Sequence, residues 1–191
     1  MRVLFGLVFA ALTGCSASGP SFKNTDITGA DYGKEFALTD HTGRPRTLAD
    51  FHGKVVVMFF GYTRCPDVCP TTLAELKAVK DQLGSEGKRM QVLFVTVDPE
   101  RDTATLLANY VPAFDPSFLG LYGDPAATAK VAKEFRVFYQ KVPGKTPDAY
   151  TVDHTAGSYV FDPQGRLRLF ARHGNAANLA ADIRILLRGP G

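Results

Sequence analysis

The sequence predicts an α/β domain, on three observations. Two apolar, β-branched runs, "KVVVMFFGY" and "MQVLFVTVD", read as strands buried on both faces, the pattern of parallel pairing. Stretches with helical apolar spacing follow them, so strand and helix alternate. Near the end the alternation gives way to "GSYVFDPQGRLRLFA", two strands joined by a turn, and then to a last helix.

Each element has its own local signal. "FALTDHTGRPRTLADFHGK" carries turn residues at His41-Thr42-Gly43 and predicts a small antiparallel hairpin. After the first buried strand, Leu73, Leu76, Val79 and Leu83 recur at helical spacing, and Gly84 supplies the stop. After the second, Asp102 or Thr103 can cap a helix with Leu106, Leu107 and Tyr110 on its inner face. "FLGLYG" is a short third strand. "DPAATAKVAKEF" opens a helix with Asp124 as N-cap and Pro125 at the first helical position. Asp162-Pro163-Gln164-Gly165 turns the late hairpin, and "NAANLAADIRILLR" is an amphipathic helix capped by Asn175. This order is that of the thioredoxin-like fold, with an N-terminal β-hairpin extension, an inserted helix, and a C-terminal β-hairpin plus helix. No repeat and no second core is visible, so one domain is expected over residues 34–188.

The N-terminus belongs to export rather than to the fold. In "MRVLFGLVFAALTGC", Arg2 gives a positive start and Val3 to Leu12 an apolar run. That run falls far short of the ~20 residues a spanning helix needs. "LTGC" resembles the lipobox of bacterial lipoproteins, which makes residues 1–15 a signal peptide and Cys15 the lipidated residue. The alternative is a plain secretory signal with an incidental cysteine. Either predicts export into an oxidising compartment, and lipidation adds membrane anchoring. The polar, Gly/Ser-rich residues 16–33 read as a flexible tether. A net charge of +3 with no Lys/Arg stripe argues against nucleic acid as a partner.

With Cys15 assigned to lipid, the remaining cysteines, Cys65 and Cys69, stand in one motif, "GYTRCPDVCPTTL". Cys65 follows the first buried strand and Cys69-Pro70 opens a helix, whose N-terminus favours thiolate. Four helical residues would separate the Cα atoms by about 6 Å. That distance suits a disulfide, a redox dithiol or a shared metal alike. A purely structural disulfide would close too short a loop to stabilise the fold much. In the dithiol reductases of this fold a cis-proline precedes the strand facing the cysteines. Here that strand is "GSYVFD", and the residues before it, "YTVDHTA", contain no proline. They contain His154, which the fold directs towards the sulfurs. Two thiolates and an imidazole form a soft three-ligand set that suits Cu(I), and an added weak ligand accommodates Cu(II). Structural zinc would want a fourth protein ligand. His41, His52 and His173 read as surface or hydrogen-bonded residues.

Three ordered segments carry a resemblance to a known family. "FGYTRCPDVCPTTL" resembles the FG(F/Y)TxCPD(I/V)CPTxL signature of the Sco/SenC copper-binding assembly factors of cytochrome c oxidase. "VTVDPERDT" and "YTVDHTAGSYVFDPQG" resemble that family's second signature and its histidine segment. The resemblance implies copper held by Cys65, Cys69 and His154, and a CuA-bearing oxidase subunit as partner. It also implies exchange with other periplasmic copper carriers and attachment to a membrane. Asp153 is a candidate to orient the imidazole. Asp98, in "VDPERDT", is either turn chemistry or part of an acidic rim for partner docking. "YQKVPGKTPDAY" is expected to be a mobile loop that brings His154 to the metal.

The leading reading is a metallochaperone rather than a turnover enzyme. A thiol-disulfide oxidoreductase is the alternative, with Cys65 attacking and Cys69 resolving, whether to reduce the oxidase subunit or to sense redox state. A thiol peroxidase is a minor one. Peroxidases of related fold carry PxxxTxxC, whereas Thr63 here lies two residues before Cys65 and no proline fills the upstream position.

Overall fold

The computed structural model of the chain describes residues 21–146 and 149–189. The signal segment, Cys15 and the first residues of the expected tether lie outside them.

The two long apolar runs become the centre of the sheet. β1 (Thr25–Asp26), β2 (Ala37–Asp40) and β3 (Pro45–Thr47) precede β4 (Val55–Gly61). β4 and β5 (Met90–Thr96) are buried at every position, and they pair in parallel from Val55↔Met90 to Gly61↔Thr96. β6 (Leu119–Tyr122) continues the parallel set beside β5. The His41-Thr42-Gly43 hairpin forms as expected, and its β2 strand adds to β6. Two further strands, β7 (Tyr139–Val142) and β8 (Thr151–His154), stand apart as a two-stranded sheet. On the other edge of β4, β9 (Ser158–Phe161) pairs antiparallel, and β10 (Leu167–Ala171) pairs with β9. The main sheet is eight-stranded, in the order β1-β10-β9-β4-β5-β6-β2-β3.

The helices begin where their caps predict. α1 (Val68–Gln82) ends at Gly84, whose φ of 58° breaks the helical path. In α2 (Ala104–Tyr110) the capping side chain is Thr103, which accepts from the Leu106 amide. Asp124 caps α3 (Pro125–Glu134), and Asn175 caps α4 (Ala176–Arg188). α1 and α4 pack side by side, α2 on β6, and α3 on β2. Leu73, Leu76, Val79, Ile183 and Leu186 turn inward from α1 and α4, as their spacing requires.

Two segments differ from the sequence reading. Most of the described part of the expected tether is docked: β1 pairs with β10, and the Lys23 and Asn24 amides each donate to the Asp182 carboxylate at 2.8 Å. The segment is polar because it caps a sheet edge and a buried acid, not because it is free. The stretch around "YQKVPGKTPDAY" is also not a plain loop. Its arms pair as β7 and β8, from Tyr139↔His154 to Val142↔Thr151. Pro143 and Gly144, which suggested a loop, directly follow β7, and Val152 of β8 is buried.

Asp40 organises the β2–β3 turn from a fully buried position. Its carboxylate accepts from the Thr42 amide and hydroxyl at 2.8 and 2.6 Å, and from Arg46 Nε at 2.8 Å. Burial alone would raise its pKa, but hydrogen bonds from Thr42, Arg46 and Arg44 outweigh that and lower it to about 2. The stabilisation is therefore complete above the unfolded value of about 4, and is lost as pH falls through about 2. Asp40→Asn should cost about 2 kcal/mol at pH 7. In urea unfolding, the gap from wild type should close between pH 4 and pH 2; a gap that persists at pH 2 would contradict the assignment.

Candidate metal centre

The site forms where β4 ends. Beyond Gly61 the chain turns, and the Cys65 amide donates to the Tyr62 carbonyl at 3.3 Å. Thr63 ties this turn down. Its hydroxyl and amide donate to Asp102 at 2.6 and 3.0 Å, and the Thr96 hydroxyl at the end of β5 donates to the same carboxylate at 2.6 Å. Asp102, expected as a possible helix cap, is instead a buried bracket between two strand ends. Burial holds its pKa above the ordinary carboxylate value despite these donors.

α1 starts at Val68, so Cys69 lies in its first turn and Cys65 just before it. The Cys69 amide donates to Cys65 Sγ at 3.4 Å, so a helix-terminal N–H faces the first sulfur. Neither cysteine is in a disulfide; Cys65 is half-buried and Cys69 fully buried. Gly61 makes room for Cys69. A Cβ there would lie 2.9 Å from Cys69 Sγ and 2.9 Å from the Phe94 ring, closer than real contacts allow. Burial pushes the Cys69 thiol pKa well up, and Cys65 and Asp102 add to the rise, so the metal-free residue is a protonated thiol.

His154 arrives from the other side as the last residue of β8. Its Nε2 lies 3.6 Å from Cys69 Sγ, and its Nδ1 is 3.1 Å from the Thr155 carbonyl. A carbonyl only accepts, so Nδ1 carries the proton and the Nε2 lone pair faces the sulfur. Burial lowers the imidazole pKa and keeps the ring neutral. Tyr62 and Phe59 meet it edge-on, each with centroids 6.1 Å away. The two sulfurs and the nitrogen all lie within 4.8 Å of one another. With metal–sulfur and metal–nitrogen lengths of about 2.3 and 2.0 Å, a trigonal ion needs an S···N separation of about 3.7 Å. The Cys69–His154 distance of 3.6 Å meets that requirement.

A family model described as SCO1/SenC matches residues 24–188. The chain belongs to the SCO1/SenC family. It is 43% identical to copper-bound ScoI of Bradyrhizobium japonicum, covering 82% of this chain and 99% of that one at a TM-score of 0.75. It is 44% identical to apo Sco1 of Thermus thermophilus, covering 89% and 99% at a TM-score of 0.77. Its identity to the mitochondrial SCO2 homolog of Bos taurus is 42%, over 78% of this chain and 56% of the bovine one. The chain thus spans little more than half the length of that relative.

Within this family fold, the other residues suggested by the sequence sit differently. Strand alternation turns Asp153 to solvent, so the Thr155 carbonyl rather than Asp153 orients the imidazole. Asp98 is fully buried rather than on a rim, and accepts from Arg101 Nε and the Tyr150 hydroxyl. His173 is half-buried against Phe59, 5.5 Å between centroids, and hydrogen-bonds Ser158 at 3.2 Å. Sequence reasoning missed Tyr62, Thr63, Thr96 and Tyr150. Only adjacence to the cysteine motif marked the first two, and nothing local marked the others.

The unequal burial of the two cysteines gives a test. In the reduced, metal-free protein, Cys65 should alkylate at least about ten times faster than Cys69. Peptide mass spectrometry after timed iodoacetamide pulses measures the ratio, and equal rates would contradict the geometry.

Proposed function

We propose that this chain is a copper carrier that binds one copper through Cys65, Cys69 and His154 and serves assembly of the CuA site of cytochrome c oxidase. The observation that carries the reading is the convergence of these three ligand atoms, although His154 lies 85 residues from Cys69. The donor set is soft, three-coordinate and short of the four protein ligands of structural zinc, which favours Cu(I). An added weak ligand would let the same residues hold Cu(II). The copper is cargo, so the protein releases it to a partner rather than turning over a substrate. The copper-bound relatives support the choice of metal, and the family resemblance supports the oxidase.

The partner is the CuA-bearing oxidase subunit, with other periplasmic copper carriers as possible donors. Val68 between the cysteines and Phe138 beside Thr155 are exposed at 44% and 59%. They suit a transient contact around the metal. The "LTGC" segment supports export to the periplasm and anchoring through a lipid on Cys15.

A second reading has its own observation. Accessible Cys65 with buried Cys69 beside it is the arrangement of an attacking and a resolving thiol. Cys65 thiolate would attack one sulfur of a partner disulfide and displace the other as thiolate. Cys69 would then attack Cys65 sulfur, releasing the partner as a dithiol and leaving the Cys65–Cys69 disulfide, a balanced two-electron exchange.

Anaerobic copper titration of the reduced protein separates the readings. About one copper should bind per chain, His154→Ala should weaken binding at least tenfold, and Cys65→Ser should remove it. Failure to bind copper, with dithiol exchange intact, would leave the oxidoreductase. Unchanged affinity in His154→Ala would refute the three-ligand site.

A further inference from the structure

Among the described residues, His154 is presented by a hairpin that shares no strand ladder with the main sheet. Something other than sheet hydrogen bonds must therefore fix the imidazole within reach of the cysteines. Besides the backbone hydrogen bond of Val152 to Tyr62, the polar ties of the hairpin converge on the loop that follows β5. The Tyr150 hydroxyl, immediately before β8, donates to Asp98 Oδ1 at 2.7 Å across 52 residues. Arg101 Nε donates to Asp98 Oδ2 at 2.5 Å, and Arg101 Nη1 donates to the Tyr150 carbonyl at 2.9 Å. The guanidinium lies 3.5 Å over the Tyr150 ring. It also lies 5.9 Å from the Tyr62 ring, which itself meets His154 edge-on. From β7, Lys141 reaches Glu100 at 2.6 Å and lies 4.8 Å from the Tyr150 ring.

These contacts have the features of a built device rather than of surface decoration. The Asp98 side chain is fully buried and that of Arg101 is only 11% exposed. One arginine grips an acid, a backbone carbonyl and an aromatic face at once, which its planar fork permits and a lysine does not. Hydrogen bonds to an ionised group out of water are also among the stronger ones available.

We propose that Asp98, Arg101 and Tyr150 form a latch that positions His154 over Cys65 and Cys69, and so sets copper affinity from outside the ligand set. Asp98, Arg101 and Tyr150 are positioning residues; none of them is a ligand. The inference rests on the copper-binding reading above. Its mechanism is a population effect. With the latch closed, the imidazole is in place before the metal arrives. With the latch opened, the hairpin keeps its own ladder and Val152, but the imidazole is in range for a smaller fraction of the time. The apparent dissociation constant then rises in inverse proportion to that fraction.

The test is a double-mutant cycle with His154, using the full chain and competition for Cu(I) with a chelator. Tyr150→Phe removes one hydroxyl and keeps the stacked ring, so the fold is preserved; Arg101→Lys keeps the charge and removes the fork. Each should weaken copper binding about tenfold. In a His154→Ala background, the same changes should alter affinity less than about twofold, because there is no imidazole left to position. Equal losses in both backgrounds would mean a general structural effect and would overturn the latch. Unchanged affinity in Tyr150→Phe and Arg101→Lys, with His154→Ala weakened, would overturn the latch and leave the copper site standing. Unchanged affinity in His154→Ala itself would refute the three-ligand site, and the latch with it, whereas failure of the unaltered chain to bind copper would remove the copper reading.

Discussion

The site depends first on the parallel pairing of β4 with β5. The two strands are in register over their whole length and end at the same level, Gly61 opposite Thr96. Two loops therefore leave the sheet side by side, one carrying the cysteines and the other carrying Asp98, Arg101 and Asp102. The ladder even continues one step, since the Val97 amide donates to the Gly61 carbonyl at 2.9 Å. From there Asp102 can hold Thr63 and Thr96 together, and Asp98 can reach Tyr150. A slip of one residue would exchange the two buried faces of a strand and separate these partners. This is the carboxyl-end position where α/β sheets gather functional groups, built here from two adjacent parallel strands.

Burial then decides the chemistry. It favours the neutral forms of both Cys69 and His154, one as thiol and the other as free imidazole. The metal-free site thus avoids burying an unpaired charge. A metal cation reverses the balance by supplying the compensating charge, and the thiol proton must leave as it binds. Gly61 and the Thr155 carbonyl complete the arrangement, the first by clearing space for the sulfur and the second by choosing the nitrogen.

The ligands differ in how they are held. The cysteines are fixed by the central sheet and by α1, whereas the histidine rides on a separate two-stranded unit. An element with few buried contacts is cheaper to displace than a central strand. The proposed carrier function would need that division, because a site rigid on all sides would hold its cargo against every partner.

Much of this was legible in the sequence. Unbroken apolar runs predicted β4 and β5, helical spacing predicted α1 and α4, and Thr103, Asp124 and Asn175 marked their helices as caps because such signals are local. The two cysteines announced themselves by spacing, and His154 by its place in the expected fold. What the sequence did not contain was the pairing of distant polar groups. Asp98 read as a turn residue or part of an acidic rim, Asp102 as an alternative to Thr103 for a cap, and residues 139–150 as a loop, since each shows its local propensity whether or not a partner waits across the fold. Residues 16–33 read as a tether for the same reason. Local backbone preference and periodicity are written along the chain. The choice of Asp102 as a bracket, of Thr155 as the imidazole's acceptor and of Tyr150 as the partner of Asp98 was made only in three dimensions, where side chains tens of residues apart first come within hydrogen-bonding distance.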